Sequence, residues 1–317
     1  MNYIKKIESI EDNKFNNLHY VCRNFTGSKK IFEFNELLEY PYYSKIILKL
    51  KELLKDDFFK YDFLIYSKIA QKKLVDDLEY IPNFKQDNLI VFYISDETGH
   101  IPLDFAKKCK IIFKVLLKEN SINNIHYFPL GYANGKELPI VPIDKRQYNV
   151  FFIGQFGRNR IKLYKALSNL KFIPNILLLA FKKFIPKDFS YLFQNSIIKF
   201  TSGFGAGLNR TEYNRILYNS KIVICPYGAV TEETFRHYEA MRAGCIVITL
   251  KMPDVIPYQN APIIQLNDWN ELLPTINSLL NDPIKLKKMH LATLEWWKNK
   301  CSEEAIAQYI YNKIVDN

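Results

Sequence analysis

Ser220-Lys-Ile-Val-Ile-Cys-Pro-Tyr-Gly-Ala-Val-Thr-Glu-Glu-Thr-Phe-Arg-His-Tyr-Glu-Ala-Met-Arg-Ala-Gly-Cys-Ile-Val-Ile-Thr-Leu250 reads as strand, loop, helix, strand. Residues 221–225 are a short apolar, β-branched run of the kind that forms a buried parallel strand, and Pro226 stops it. Pro226-Tyr227-Gly228 is turn chemistry. Thr231 is placed to cap a helix, with Glu232 and Glu233 in its first turn, where carboxylates suit the dipole. Gly244 ends that helix, and residues 246–250 are the next buried strand. The unit is βαβ. Its loop lies at the carboxyl end of a strand, where open α/β sheets bind ligands.

At 3.6 residues per turn, Glu232, Arg236 and Glu239 fall in one row. Beside a helix start, the arginine could take phosphate and a glutamate could accept from sugar hydroxyls. A salt-bridge ladder on a solvated helix has the same spacing. Glu232 and Glu233 oppose phosphate at the helix start unless a cation such as Arg236 offsets them.

The Ser220–Gly228 run, followed by Thr-Glu-Glu-Thr-Phe-Arg-His-Tyr-Glu-Ala-Met-Arg-Ala-Gly-Cys-Ile-Val-Ile, resembles the donor-binding segment of GT-B glycosyltransferases. It is most similar to exostosin-like enzymes, with an arginine before Glu-Ala and then Ala-Gly-Cys. The Thr-Glu start is also similar to bacterial α1,3-fucosyltransferases. The resemblance implies an α/β GT-B fold of two Rossmann-like domains facing each other across a cleft. It implies that Glu239 holds the donor ribose and Arg236 the diphosphate. Two positions depart from those families. Thr231 stands where retaining enzymes carry the first of two glutamates, and Glu233 stands where the fucosyltransferases carry a lysine. Inverting against retaining transfer stays open. The match covers residues 220–250, and the rest of the chain fits by layout.

Composition narrows the classes. The chain has 317 residues, 48% hydrophobic and 24% charged, the profile of a globular protein long enough for two domains. Net charge is +11, which suits phosphorylated substrates, anionic lipid or nucleic acid. No nucleic-acid signature accompanies it, so no nucleic-acid partner is expected. The five cysteines form no CxxC pair and their number is odd, which points to a reducing, cytoplasmic setting. The five histidines show no metal-ligand spacing, so no metal is expected. No signal peptide is recognisable, and no apolar run reaches the ~20 residues of a membrane span.

Outward from the central stretch, strands are expected at residues 63–66, 89–94, 111–115, 125–129, 148–154, 176–180 and 261–266, with helices at 35–56, 161–170, 209–218, 269–280 and beyond 282. Residues 26–30, Thr-Gly-Ser-Lys-Lys, read as a surface turn with a weak phosphate signal. Residues 182–200 are basic and aromatic. They suit an ordinary helix with lysines outside, or a membrane or anionic acceptor surface. Asp282-Pro283 and Ser302 are helix starts. Residues 134–147, with two prolines, a glycine and charges, read as a linker. Residues 1–140 are then an acceptor-binding domain and 148–295 a donor-binding domain. Residues 296–317 form a last helix, which GT-B enzymes often return to the first domain.

Two further loops carry candidate chemistry. Asp96, Glu97 and His100 cluster past a strand end, and any of them could be the base that deprotonates a sugar hydroxyl. The same loop could merely cap the next helix. After residues 148–154, Gly154 and Gly157 would let a backbone approach a ligand, with Arg158 and Arg160 supplying charge. Arg158 is preferred as a diphosphate clamp, against two solvated arginines. By the same layout Arg210 and Tyr213 would meet the donor base, and Tyr227, Gly228 and Thr231 would line its loop.

The expected function is transfer of a sugar from a diphosphate-activated donor to a glycan or lipid-linked glycan hydroxyl. Bacterial capsule or lipopolysaccharide assembly is the expected setting, with peripheral contact with an anionic membrane. A nucleotide-sugar epimerase or a non-catalytic two-lobed binder shares the fold.

Overall fold

Five runs of β-branched and aromatic residues in the first part of the chain become parallel strands: β1 (Leu18–Asn24), β2 (Asp62–Ala70), β3 (Leu89–Asp96), β4 (Ile111–Val115) and β5 (Ile125–Phe128). They lie side by side in chain order. Short antiparallel strands at Lys5–Lys6 and Ser121–Ile122 flank them. Every residue of β4 and β5 is buried, which is why these runs show no alternation. The computed structural model describes residues 4–24, 31–70, 86–96, 98–203, 206–228 and 231–316. The turn at 26–30 and Glu97 therefore lie outside the described residues.

The chain forms two units. The first comprises Met1–Ala133, Pro253–Gln259 and Lys300–Asn317. Its sheet is covered by α1 (Tyr40–Leu54), whose buried Tyr42, Tyr43, Ile46, Ile47 and Leu50 recur at helical spacing. The helix Glu303–Val315, capped by Ser302, packs on α1. The Tyr42 hydroxyl donates to the Cys301 carbonyl at 2.6 Å, and the Tyr132 hydroxyl donates to Glu303. Gly131 has φ +71°, and a Cβ there would lie 2.0 Å from the Tyr42 ring, so only glycine allows this approach. The excursion Pro253–Gln259 is anchored by Asn120, which accepts from the Ile256 amide at 2.8 Å.

The second unit comprises Asn134–Met252 and Asn260–Asn299. In chain order it holds β6 (Tyr148–Gln155), α2 (Ile161–Leu167), α3 (Asn175–Ala180), β7 (Ile197–Thr201), α4 (Arg210–Tyr218) and β8 (Ser220–Ile224). Then come α5 (Phe235–Arg242), β9 (Ile246–Leu250), β10 (Ile264–Leu266), α6 (Leu272–Leu280) and α7 (Pro283–Trp296). All five strands are parallel, in the order β7-β6-β8-β9-β10. Numbered within the unit this is 2-1-3-4-5, a doubly wound order. The connections leave in opposite directions from β6 and β8, and such a switch point opens a crevice at the strands' carboxyl ends. Each unit is thus a Rossmann-like α/β layer.

Three expectations are corrected. Residues 176–180 are helical, not a strand: Ile176 and Leu177 are exposed while Leu178 is buried, and β7 takes the expected place in the sheet. An unbroken apolar run fits either structure. Residues 182–200 are not a helix. Pro186 bars one, and the β-branched pair Ile197-Ile198 opens β7. Residues 134–147 are not a free linker. Arg146 is buried and donates to the carbonyls of Val141, Ser220 (2.6 Å) and Ala243, closing the last turn of α5. Arg242 donates to the Asn134 carbonyl and to Glu137, each at 3.2 Å.

Candidate functional site

Helix α5 begins later than the Thr231 start suggests. Its cap is Thr234, whose amide donates to Nδ1 of His237 at 3.2 Å. His237 is fully buried. Burial, with the Arg236 charge beside it, pushes its pKa down to about 3, so the imidazole is neutral. Its Nε2 lies 3.2 Å from Thr249 Oγ1. Thr231, Glu232 and Glu233 therefore lie in the loop before the helix. Glu233 is buried and accepts from the Tyr238 hydroxyl at 2.7 Å. Glu232 lies beside Tyr227, where burial and that carboxylate together raise the phenol pKa. The expected row of Glu232, Arg236 and Glu239 is thus broken at its first member. A cap three residues downstream, a second Thr in Thr-Glu-Glu-Thr, competes successfully because His237 completes it.

The loop after β8 is closed by its own backbone. The Gly228 amide donates to the Thr231 carbonyl at 2.8 Å, and a Cβ on Gly228 would lie 3.2 Å from the carbonyls of Thr231 and Glu233. The Tyr227 hydroxyl donates to the Lys251 carbonyl at the end of β9. Asn159 Nδ2 donates to the Gly228 carbonyl at 2.9 Å. That bond ties the loop after β6 to the loop after β8, the two strands of the switch point.

Two arginines meet in this crevice. Arg236, in the first turn of α5, donates to the Ile153 carbonyl, and its guanidinium lies over the Phe152 ring at 5.2 Å. Its Nε is buried and has no hydrogen-bond partner among the described residues. Arg160 donates to the Gln155 carbonyl at 3.0 Å. Both guanidiniums lean over Gly154. A Cβ there would lie 2.7 Å from Arg160 Nη1 and 3.3 Å from Arg236 Nη2. Burial and the Arg236 charge push the Arg160 pKa down to about 10. Both groups stay charged at neutral pH, and both are only half-buried. Like charges held this close are stabilised by an anion between them.

Arg158, the preferred clamp, points to solvent at the start of the 3₁₀ turn Arg158–Arg160. That turn brings Arg160 back over the strand instead. The readable signal was Gly154, the strand residue whose missing side chain leaves room for it. Glu239 is nearly buried one turn along α5 from Arg236, and its Oε1 accepts from the Asn134 amide at 3.2 Å. The phenol of Tyr213 lies against Arg236 and Glu239, with its ring 5.3 Å from Phe151. Arg210 is exposed, and its carbonyl accepts from Asn134 Nδ2 at 2.9 Å. Arg236, Glu239 and Tyr213 are therefore brought together, and Tyr227, Gly228, Thr231 and Glu232 form the adjoining loop.

No protein-family model and no curated protein matches the chain. Among solved structures it is similar to TarM, with 14% identity and a TM-score of 0.46 over 88% of this chain and 59% of TarM. It is similar to sucrose-phosphate synthase from Thermosynechococcus elongatus, with 14% identity and a TM-score of 0.46 over 94% of this chain and 83% of that one. A glycosyltransferase from Rickettsia africae ESF-5 matches with 13% identity and a TM-score of 0.43, over 91% of this chain and 85% of that one. The chain spans about six-tenths of TarM's length. These likenesses are of fold, at identities too low to carry a substrate or an activity.

In the first unit the candidate bases separate. Asp96 is fully buried at the end of β3. It accepts from Lys114 Nζ at 2.7 Å and from the Thr98 amide and hydroxyl, with Lys68 Nζ at 4.0 Å. Burial alone would raise its pKa, but Lys114 and Thr98 more than offset that and hold it below the usual carboxylate range. A sealed, ion-paired carboxylate is a poor proton acceptor, so the expectation of Asp96 as a base is corrected. His100 is half-buried. Among the described residues no three His, Cys, Asp or Glu side chains group as metal ligands, and no helix is long and apolar enough to cross a membrane.

Proposed function

We propose that the protein is a GT-B-type glycosyltransferase that holds a diphosphate-activated sugar at the strand ends of its second unit. The observation that supports this is the pair Arg160 and Arg236, converging over Gly154 at a topological switch point. In this reading the pair takes the diphosphate, and Glu239 takes hydroxyls of the nucleoside ribose. Tyr213 and Arg210 bound the base side, and the loop of Tyr227, Gly228, Thr231 and Glu232 covers the sugar. Transfer proceeds as an acceptor hydroxyl forms a bond to the anomeric carbon and the bond to the diphosphate breaks. The electron pair leaves on the diphosphate, where the two guanidiniums stabilise it, so the reaction is proposed to be metal-independent. His100 is the proposed base for the acceptor proton. The acceptor proposed is a glycan or lipid-linked glycan of bacterial capsule or lipopolysaccharide assembly, met on the cytoplasmic side. The net charge of +11, suited to an anionic, membrane-linked acceptor, supports that choice.

The test is thermal stabilisation by a panel of nucleoside diphosphates and activated sugars, since a ligand of the native state raises Tm by mass action. One nucleotide is expected to stabilise the wild type, with that shift lost in Arg236→Ala and Glu239→Ala. A donor consumed only with an acceptor, and not by His100→Ala, marks transfer. A donor bound but never consumed marks a binding protein. A panel without any shift removes the donor site.

A further inference from the structure

We propose that the segment 171–191 of the second unit is a docking surface for an anionic lipid bilayer. It is independent of the donor site. Phe172 is 96% exposed, Phe184 84% and Ile176 75%, and Phe181 and Tyr191 of the same stretch are exposed as well. So many large apolar side chains in one short stretch are uncommon on a protein surface that meets only water. The stretch is folded. Leu178 and Phe189 are buried in the unit's core, and Leu179 and Ile185 pack against it. Successive turns hold the outward residues, with the Phe181 amide donating to the Leu177 carbonyl and the Phe184 amide to the Phe181 carbonyl, each at 2.9 Å.

Charge selects the partner. Lys171, Lys182 and Lys183 are exposed in the same stretch, and the one acidic residue from 171 to 191, Asp188, is paired with Lys199 at 2.9 Å. Two copies of this face would oppose lysine to lysine, so charge disfavours a homodimer. An anionic bilayer instead takes the apolar side chains below its headgroups and leaves the ammonium groups at the phosphates, with the lysine stems lying along the boundary.

Flotation with vesicles of phosphatidylcholine alone, and of phosphatidylcholine with phosphatidylglycerol, tests this on the full chain. The wild type is expected to bind the anionic vesicles, weakly or not at all the neutral ones, and less as salt rises. Two variants, Phe172→Ser with Phe184→Ser, and Lys182→Glu with Lys183→Glu, should each bind about tenfold less or worse. Their melting temperatures should stay at the wild-type value, because the replaced groups are exposed. Absence of binding to anionic vesicles, equal binding to both compositions, or unchanged binding by both variants overturns the proposal. Sedimentation velocity adds one more outcome: a wild-type dimer that the serine variant dissociates gives the face to a second copy and overturns it as well.

Discussion

Both units gather charge at the carboxyl ends of parallel strands, and they do opposite things with it. At the end of β3, Asp96, Lys68 and Lys114 have no exposure at all, and Lys114 is engaged by the carboxylate, by the Val115 carbonyl and by the Tyr93 ring 4.4 Å away. At the ends of β6 and β8, Arg160 and Arg236 keep part of their surface exposed; Arg236 also lies against the Tyr213 phenol and Glu239, and its buried Nε has no partner among the described residues. The strand order differs in the same sense. The first unit's five parallel strands run in chain order, whereas the second reverses direction between β6 and β8. Breaking a sealed ion pair is costly to the fold; guanidiniums that keep exposed surface and an unpartnered Nε at a switch point have capacity left for a ligand.

The largest effect should come from breaking the sealed cluster. Asp96→Asn leaves buried ammonium groups without their carboxylate and is expected to cost about 3–5 kcal/mol in urea unfolding. A loss below about 1 kcal/mol, the range of an exposed pair, would erase the contrast between the units. Next comes the open pair. Arg236→Ala should weaken binding of the stabilising nucleoside diphosphate about 30- to 100-fold, the scale of a hydrogen bond to a charged group. Arg236→Lys should recover only part of it, because the ammonium lacks the planar fork.

Acid should separate the contributions of His237 and Asp96 by window. The folded pKa of His237 is below its unfolded value, so its contribution is complete above about pH 6.5 and declines as the unfolded chain takes up the proton. The decline is about 1.4 kcal/mol per pH unit down to the folded value of about 3. Asp96 is also depressed, but its contribution is lost only below the ordinary carboxylate range. Urea unfolding between pH 7 and pH 4 should show a steeper slope in the wild type than in His237→Asn, which keeps the other histidines that burial depresses, His19, His126 and His290. The smallest effect is Gly154→Ala. Its methyl would displace the flexible ends of Arg160 and Arg236, and a several-fold loss of affinity with Tm nearly unchanged is expected. A full loss of folding would mean that the backbone, not the guanidiniums, needs the glycine.

The strands were the most legible part of the chain. Residues 111–115 and 246–250 match their observed bounds, and 148–154 and 221–225 fall within a residue, because burial on both faces leaves an uninterrupted apolar signature; the strand at 62–70 runs four residues past its expected end, and 197–201, with two polar residues among five, carries no such signature. The same signature misled at 176–180, where composition cannot tell a strand from a helix lying on the surface. Of the candidate site, Arg236, Glu239 and Tyr213 were legible from spacing and resemblance. Arg160 was ranked behind Arg158 because two neighbouring arginines look alike until a 3₁₀ turn sends one inward. Asp96 was misread because its lysine partners come from other strands, 28 and 18 residues away, which no local pattern displays.

The three-piece make-up of the first unit bears on how the protein is made. Its helix Glu303–Val315 leaves the ribosome after the whole second unit, yet it covers the apolar side of α1, formed some 250 residues earlier. Until then Tyr42 and Tyr132 lack the Cys301 carbonyl and Glu303 as partners. The second unit, nearly continuous in the chain, has its partners at hand sooner. During translation the first sheet therefore waits, half-wrapped, for the segment that finishes it. A nascent chain halted before residue 300 should expose α1 to proteases and chaperones while the later-made sheet is already closed.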